Sequence, residues 1–376
     1  MGFIERLRRI KKASPDEKND MTESYTDVCR RLPAEWEPVD AVLLSWPHAA
    51  TDWAYMLDEV RRCFVDIAKA IMRHARLIVV APDITEVERD LGPDIDRDRL
   101  ILCPLPTNDT WARDFGAITT VGRDGRIYLN DFKFNGWGLK FAADRDNLIT
   151  LAMAENGVFA AERINRLGFV LEGGSIESDG CGLLLTTSEC LLSPNRNGDL
   201  GRERIEAYLT EALGLKKILW LDHGALEGDD TDSHIDTLAR LAPPGDVIFY
   251  TGCSDKEDSH YESLRRMAEQ LRGFTTSDGR PFNLIELPLP DAVYDPDDAS
   301  RLPATYANFL ILNNAVLLPV YGQPLKDRQA ADTLRVAMPG YEIIPIDCRA
   351  LIRQHGSLHC VTMQFPYNTL AIWKNG

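Results

Sequence analysis

The chain has 376 residues, 44% of them hydrophobic, enough for a well-buried core in one large domain or two. Lys and Arg number 42 against 58 Asp and Glu, a net charge of −16, which argues against nucleic acid or anionic membrane as a partner and leaves small cations as the molecules attracted. The eight cysteines, at 29, 63, 103, 181, 190, 253, 348 and 360, contain no CxxC pair, so a disulfide framework or zinc ribbon is not expected and a reducing cytoplasm is.

In chain order, residues 1–31 are charged and polar and read as a flexible leader. They lack the apolar run of a signal peptide, and nothing later reaches membrane-spanning length. From Leu32 to residue 376 one compact domain is expected. AVLLSWP (41–47) reads as a strand, and a helix follows in which Leu57, Val60, Phe64, Ile67 and Ile71 recur at helical spacing. RLIVVAP (76–82), LILCPL (100–105), GLLLTT (182–187) and DVIFY (246–250) are further strands. Helices are expected near 145–155, 200–213, 258–272 and 326–338, with two or more strands between successive ones. Five helices among many short strands fit neither a plain doubly wound sheet nor an all-β fold.

Four stretches hold polar groups that a core would not choose. NDTWARDFGAI (108–118) carries Trp111 and Asp114; LEGGSIESDG (171–180) carries Glu172 before two glycines that permit close backbone approach. In EGDDTDSHIDTLAR (227–240), His234 and Asp236 would share a face if the segment is extended, although DDTDS also suits a helix-capping loop. QHGSLHCVTMQ (354–364) places Cys360 at the expected start of a strand, with His359 turned to the opposite face and structural. The acidic cluster around Asp229 lacks the spacing of HExxH sites and the turn glycine of a calcium loop, so no metal is expected. Carboxylates beside a thiol raise its pKa and weaken it unless something neutralises them. A bound guanidinium would do so: it pairs with carboxylates in bidentate fashion, offers sulfur an electrophilic carbon, and can stack on tryptophan.

TWARDFGAI, FNGWGLK (134–140), LEGGSIESDG, LLTTSECLL with NRN, GDDTDSHIDTLAR, RLPATYANFL (301–310) and QHGSLHCVTMQ, with the entry PAEWEPVDAVLLSWPH (33–48), closely resemble the bacterial agmatine deiminases. These belong to the peptidyl-arginine-deiminase-like part of the guanidine-modifying superfamily. The resemblance implies the pentein fold, an α/β five-bladed pseudo-symmetric propeller of ββαβ units. It implies metal-independent hydrolysis of agmatine to N-carbamoylputrescine and ammonia, in polyamine biosynthesis and without a cofactor. On this resemblance Cys360 is the nucleophile, His234 the acid and base, and Asp114 and Asp236 the carboxylates that clasp the guanidinium. Trp111 borders the substrate, Glu172 lies beside the site, and Asp230 is a candidate for the far amine. The other seven cysteines are read as structural, with nothing placing Cys190 or Cys348 near the site. Where many agmatine deiminases have GGGN, this chain has His355, Gly356, Ser357 and Leu358. The alternatives are a peptidyl-arginine or other guanidine deiminase, an amidinotransferase, or a silent binder of polyamines or guanidines. A homodimer is compatible with the sequence.

Overall fold

The computed structural model of the protein describes residues 30–371. A short strand β1 (Arg30–Arg31) precedes β2 (Val39–Ser45), helix α1 (Leu57–His74), β3 (Arg76–Ala81) and β4 (Leu100–Pro104). Next come β5 (Ile118–Gly122), β6 (Ile127–Lys133), α2 (Ile149–Glu155) and β7 (Glu162–Val170). A third group is β8 (Glu177–Ser178), β9 (Leu183–Thr187), α3 (Arg202–Leu213) and β10 (Lys217–Leu221). A fourth is β11 (Ala239–Ala242), β12 (Val247–Gly252), α4 (Tyr261–Arg272) and β13 (Asn283–Pro288). The fifth is β14 (Leu310–Leu312), β15 (Ala315–Val320), α5 (Pro324–Ala337) and β16 (Glu342–Asp347), after which β17 (Met363–Pro366) ends the fold.

Among the described residues these strands form five sheets with one pairing rule. In each sheet a central strand (β2, β6, β9, β12 or β15) runs antiparallel to one neighbour and parallel to the strand after its helix. Parallel neighbours need a crossover, and each helix supplies one. Residues of α1 show why it forms: Val60, Phe64, Ile67 and Ile71, three or four apart, are all fully buried. The sheet of β2 is completed by β17, where Met363 faces Leu43 and Phe365 faces Ala41, so the two ends of the fold are sewn together.

The five expected helices are present, but the second is short. Its expected first turn, near Asp146, is a 3₁₀ segment instead, because the Asp146 carboxylate turns back to accept the backbone N–H groups of Asn108 and Asp109 at 2.7 and 3.1 Å. Arg30 and Arg31, the last two residues of the expected leader, pair with Gly122 and Val121. The rest of the expected leader, residues 1–29, lies outside the described residues. No described helix is long and apolar enough to cross a membrane.

Candidate active site

Every link between successive groups of strands sends polar side chains to one place. The β4–β5 link carries Trp111 and, on the short helix Ala112–Phe115, Asp114. The β7–β8 link carries Glu172 and the turn Gly173–Ser175; the β10–β11 link carries His234 and Asp236 around the turn Ile235–Thr237. Asn308 comes from the β13–β14 link, and His359 and Cys360 from the β16–β17 link. Loops on a rigid scaffold are where chemistry is usually held.

These side chains interlock. Asp114 accepts through Oδ1 from the Gly174 N–H at 2.9 Å and through Oδ2 from the Trp137 indole at 2.8 Å, and its Oδ1 lies 3.7 Å from His234 Nδ1. On the other side of that ring, Nε2 donates to Glu172 Oε2 at 3.2 Å, the oxygen that also accepts from Arg196 Nε at 2.7 Å. The Cys360 thiol donates to Asn308 Oδ1 at 3.4 Å and lies 3.8 Å from Asp236 Oδ2. Glycine at 174 is a geometric necessity: a Cβ there would stand 2.6 Å from His234 Nδ1, 3.0 Å from Asp114 Oδ1 and 3.1 Å from Asp236 Oδ2.

Burial and the neighbouring charges together set the protonation states. Cys360 is 6% exposed, and burial, with the charges of Asp236 and Asp114 behind it, pushes its thiol well above the usual range. Burial likewise raises Asp114 to about 6. For His234 burial favours the neutral ring, but Asp114 and the Glu172 hydrogen bond outweigh it and hold the imidazolium well above its ordinary pKa. Burial opposes ionisation of Glu172 too, yet the His234 hydrogen bond and the Arg196 charge keep its pKa low. The resting site is thus a thiol facing an imidazolium and buried carboxylates. Asp236 Oδ1 and Glu172 Oε1 are buried and have no hydrogen-bond partner among the described residues.

A pocket of about 400 Å³ leads to Cys360, lined by Trp111, Trp137, Phe141 and four aspartates, Asp52, Asp109, Asp114 and Asp230, with no Lys or Arg. Burial raises Asp109 to about 7 and Asp230 to about 6. A larger cavity, about 640 Å³, is lined by Arg113, Glu177 and His359 and does not include Cys360.

Several expectations need correction. Cys360 lies in a turn, three residues before β17, and not at the start of a strand. His359 therefore does not alternate away from the site: its Nδ1 lies 2.7 Å from Asp236 Oδ2. His234 and Asp236 converge around a 3₁₀ turn, not along a strand. Cys190 is at the site, since its thiol donates to Glu172 Oε2 at 3.7 Å. The acidic stretch before His234 is partly the capping loop foreseen for DDTDS: Asp229 accepts the N–H groups of Thr231 and Ser233, and Asp232 binds Lys140 at 2.7 Å and Arg196. Trp137, Asn308 and Arg196 stand in motifs the sequence had flagged, but their roles come from contacts across the fold that spacing does not encode.

Among the described residues, two groupings have the donor types of a cation site, Glu172–Cys190–His234 and Glu35–Glu177–His359. Each already contains a protein cation: Arg196 binds Glu172, and Arg240 bridges Glu35 and Glu177.

Fold and site together define a mixed α/β protein with a buried thiol, an imidazolium and carboxylates at the end of an acidic pocket. The family model of the Porphyromonas-type peptidyl-arginine deiminases matches residues 31–366, and the chain belongs to that family. It is 36% identical over 353 residues to a protein of Vibrio parahaemolyticus provisionally named an agmatine deiminase, covering 89% of this chain and 96% of the relative. The structure of a provisionally named arginine deiminase from Porphyromonas gingivalis superposes with a TM-score of 0.86 at 52% identity, covering 91% of this chain and 100% of that one. A cysteine-to-serine variant of C. jejuni agmatine deiminase with substrate bound superposes with a TM-score of 0.83 at 36% identity, covering 93% and 100%.

Proposed function

We propose that this protein is an agmatine deiminase, a C–N hydrolase acting on a guanidinium through Cys360. The observation that carries the reading is a buried thiol set among buried carboxylates with an imidazolium on Glu172. Such a thiol is inert until a cation cancels the carboxylate charge, and the cation is the substrate. The guanidinium lies against Asp114 and the free oxygen of Asp236, and Cys360 ionises, its proton passing to solvent. The thiolate attacks the guanidinium carbon, His234 protonates an amino nitrogen, and ammonia leaves from the resulting adduct. Water then attacks the thiouronium carbon, giving one proton to His234 and the other to solvent, as the C–S bond breaks and the ureido product departs. No step calls for a metal or cofactor.

The pocket favours a substrate with a second positive charge. Its four aspartates and lack of Lys or Arg suit the free amine of agmatine better than the carboxylate of arginine. Asp230 takes the amine on this reading, and Trp111 borders the substrate. Five sheets of one pairing pattern, each linked to the next through the site, support the reading of the fold as a pentein propeller within one domain. Incubation with EDTA and agmatine, arginine or an arginine-containing peptide in parallel tests the assignment. Ammonia and a ureido product from agmatine alone, abolished in Cys360→Ala, are expected; turnover of the peptide alone would make the protein a protein-modifying deiminase.

A further inference from the structure

His359 is fully enclosed, and each of its nitrogens meets a different part of a buried charge network. Nδ1 lies 2.7 Å from Asp236 Oδ2, while Nε2 lies 2.8 Å from Glu35 Oε2 and 3.1 Å from Arg240 Nη2. Glu35 is itself fixed, its Oε1 accepting the Ile311 N–H at 2.7 Å and its Oε2 the Arg240 guanidinium at 2.7 Å. Asn308 ties the same loop down by accepting the His359 N–H at 2.9 Å.

A ring protonated on both nitrogens donates to Asp236 and to Glu35. A neutral ring that accepts from Arg240 through Nε2 must carry its proton on Nδ1. Both forms donate from Nδ1 to Asp236, and the remaining tautomer would set two lone pairs against each other at 2.7 Å. One oxygen of Asp236 is thereby occupied, while Oδ1 is buried and unpartnered.

We propose that His359 is a positioning residue: its Nδ1–H holds Oδ2 of Asp236 so that Oδ1 is fixed and free to receive the substrate cation. Glu35 and Arg240 hold the ring, and the ring holds the carboxylate. The effect on catalysis runs through Asp236, as an outer partner steadies a metal ligand. The inference rests on the deiminase reading of the site.

Two amide substitutions separate the two nitrogens. His359→Asn presents an N–H near the position of Nδ1 and keeps the donor to Asp236, whereas His359→Gln reaches toward Nε2 and keeps only the Glu35 side. With agmatine, the Asn variant is expected to retain kcat/KM to within about tenfold and the Gln variant to lose on the order of 100-fold. Glu35→Gln, which leaves the Nδ1 donor in place, is expected to follow the Asn variant. Alkylation of Cys360 by chloroacetamidine relative to neutral chloroacetamide reads the carboxylate clasp without turnover. That ratio is expected to hold in the Asn variant and to fall about tenfold in the Gln variant. A purely structural histidine predicts equal losses in the two variants, in activity, in the alkylation ratio and in Tm; equal losses would overturn the inference. Failure of the deiminase reading is seen separately, as wild-type protein with neither guanidine turnover nor a preference for the amidinium reagent, and it would end this inference too.

Discussion

On the deiminase reading, Asp114 shapes the acid side of the pH profile. Burial raises its pKa to about 6, so the ionised form that pairs with a cation dominates only above that pH. Because kcat/KM reports the free enzyme, and Asp230 on the amine side is also raised to about 6, it should fall at least tenfold per pH unit below about pH 6. His234 is held well above its ordinary range and stays protonated across this limb, so it does not produce it. A profile flat down to pH 5 would contradict the assignment of Asp114 as a buried clasp. At this scale the sequence was most informative where a motif carries the family resemblance. Cys360, His234, Asp114, Asp236 and Glu172 all fall within one cluster. It was least informative for His359, whose partner Glu35 lies 324 residues away, and for Cys190, an ordinary apolar filler until the fold sets it against Glu172.

The loops between strands hold the site by close packing and buried charge. Gly174→Ala would drive a methyl group into His234, Asp114 and Asp236, so a loss of at least 100-fold in kcat/KM is expected with far-UV circular dichroism unchanged. Arg196 is a different kind of support. Fully buried, it donates to Glu172 at 2.7 Å and to the Thr231 carbonyl at 2.8 Å. Arg196→Leu leaves Glu172 ionised and short of its partner, which should cost about 3–5 kcal/mol in denaturant melts. Arg196→Leu combined with Glu172→Leu should recover part of that loss, and no recovery would show that the pair is not coupled. The main strands and helices were legible in the sequence because apolar periodicity records them directly, as in α1. The turns at His234 and Cys360 are not legible in the sequence: β-prone neighbours place Cys360 at a strand's start, and at His234 the spacing leaves an extended segment and a capping loop both open.

Across the whole molecule, β17 joins the C-terminal end of the fold to β2 near its beginning and anchors the turn bearing Cys360. Ending the chain after Thr362 would strip β2 of its antiparallel neighbour and expose a buried strand edge, so loss of a cooperative thermal transition is expected. The five-sheet organisation was visible in the sequence only as five helices among strands; the shared pairing rule emerges from contacts between strands that no local pattern specifies. The net charge of −16 was legible at once, and it agrees with a pocket lined by aspartates. The proposed deiminase reaction requires a covalent intermediate on Cys360. Acid quenching during agmatine turnover, followed by mass spectrometry of the proteolysed protein, should find the Cys360 peptide carrying agmatine less one ammonia. Steady ammonia release with Cys360 unmodified at every quench time, or with the adduct on Cys190 instead, would contradict it.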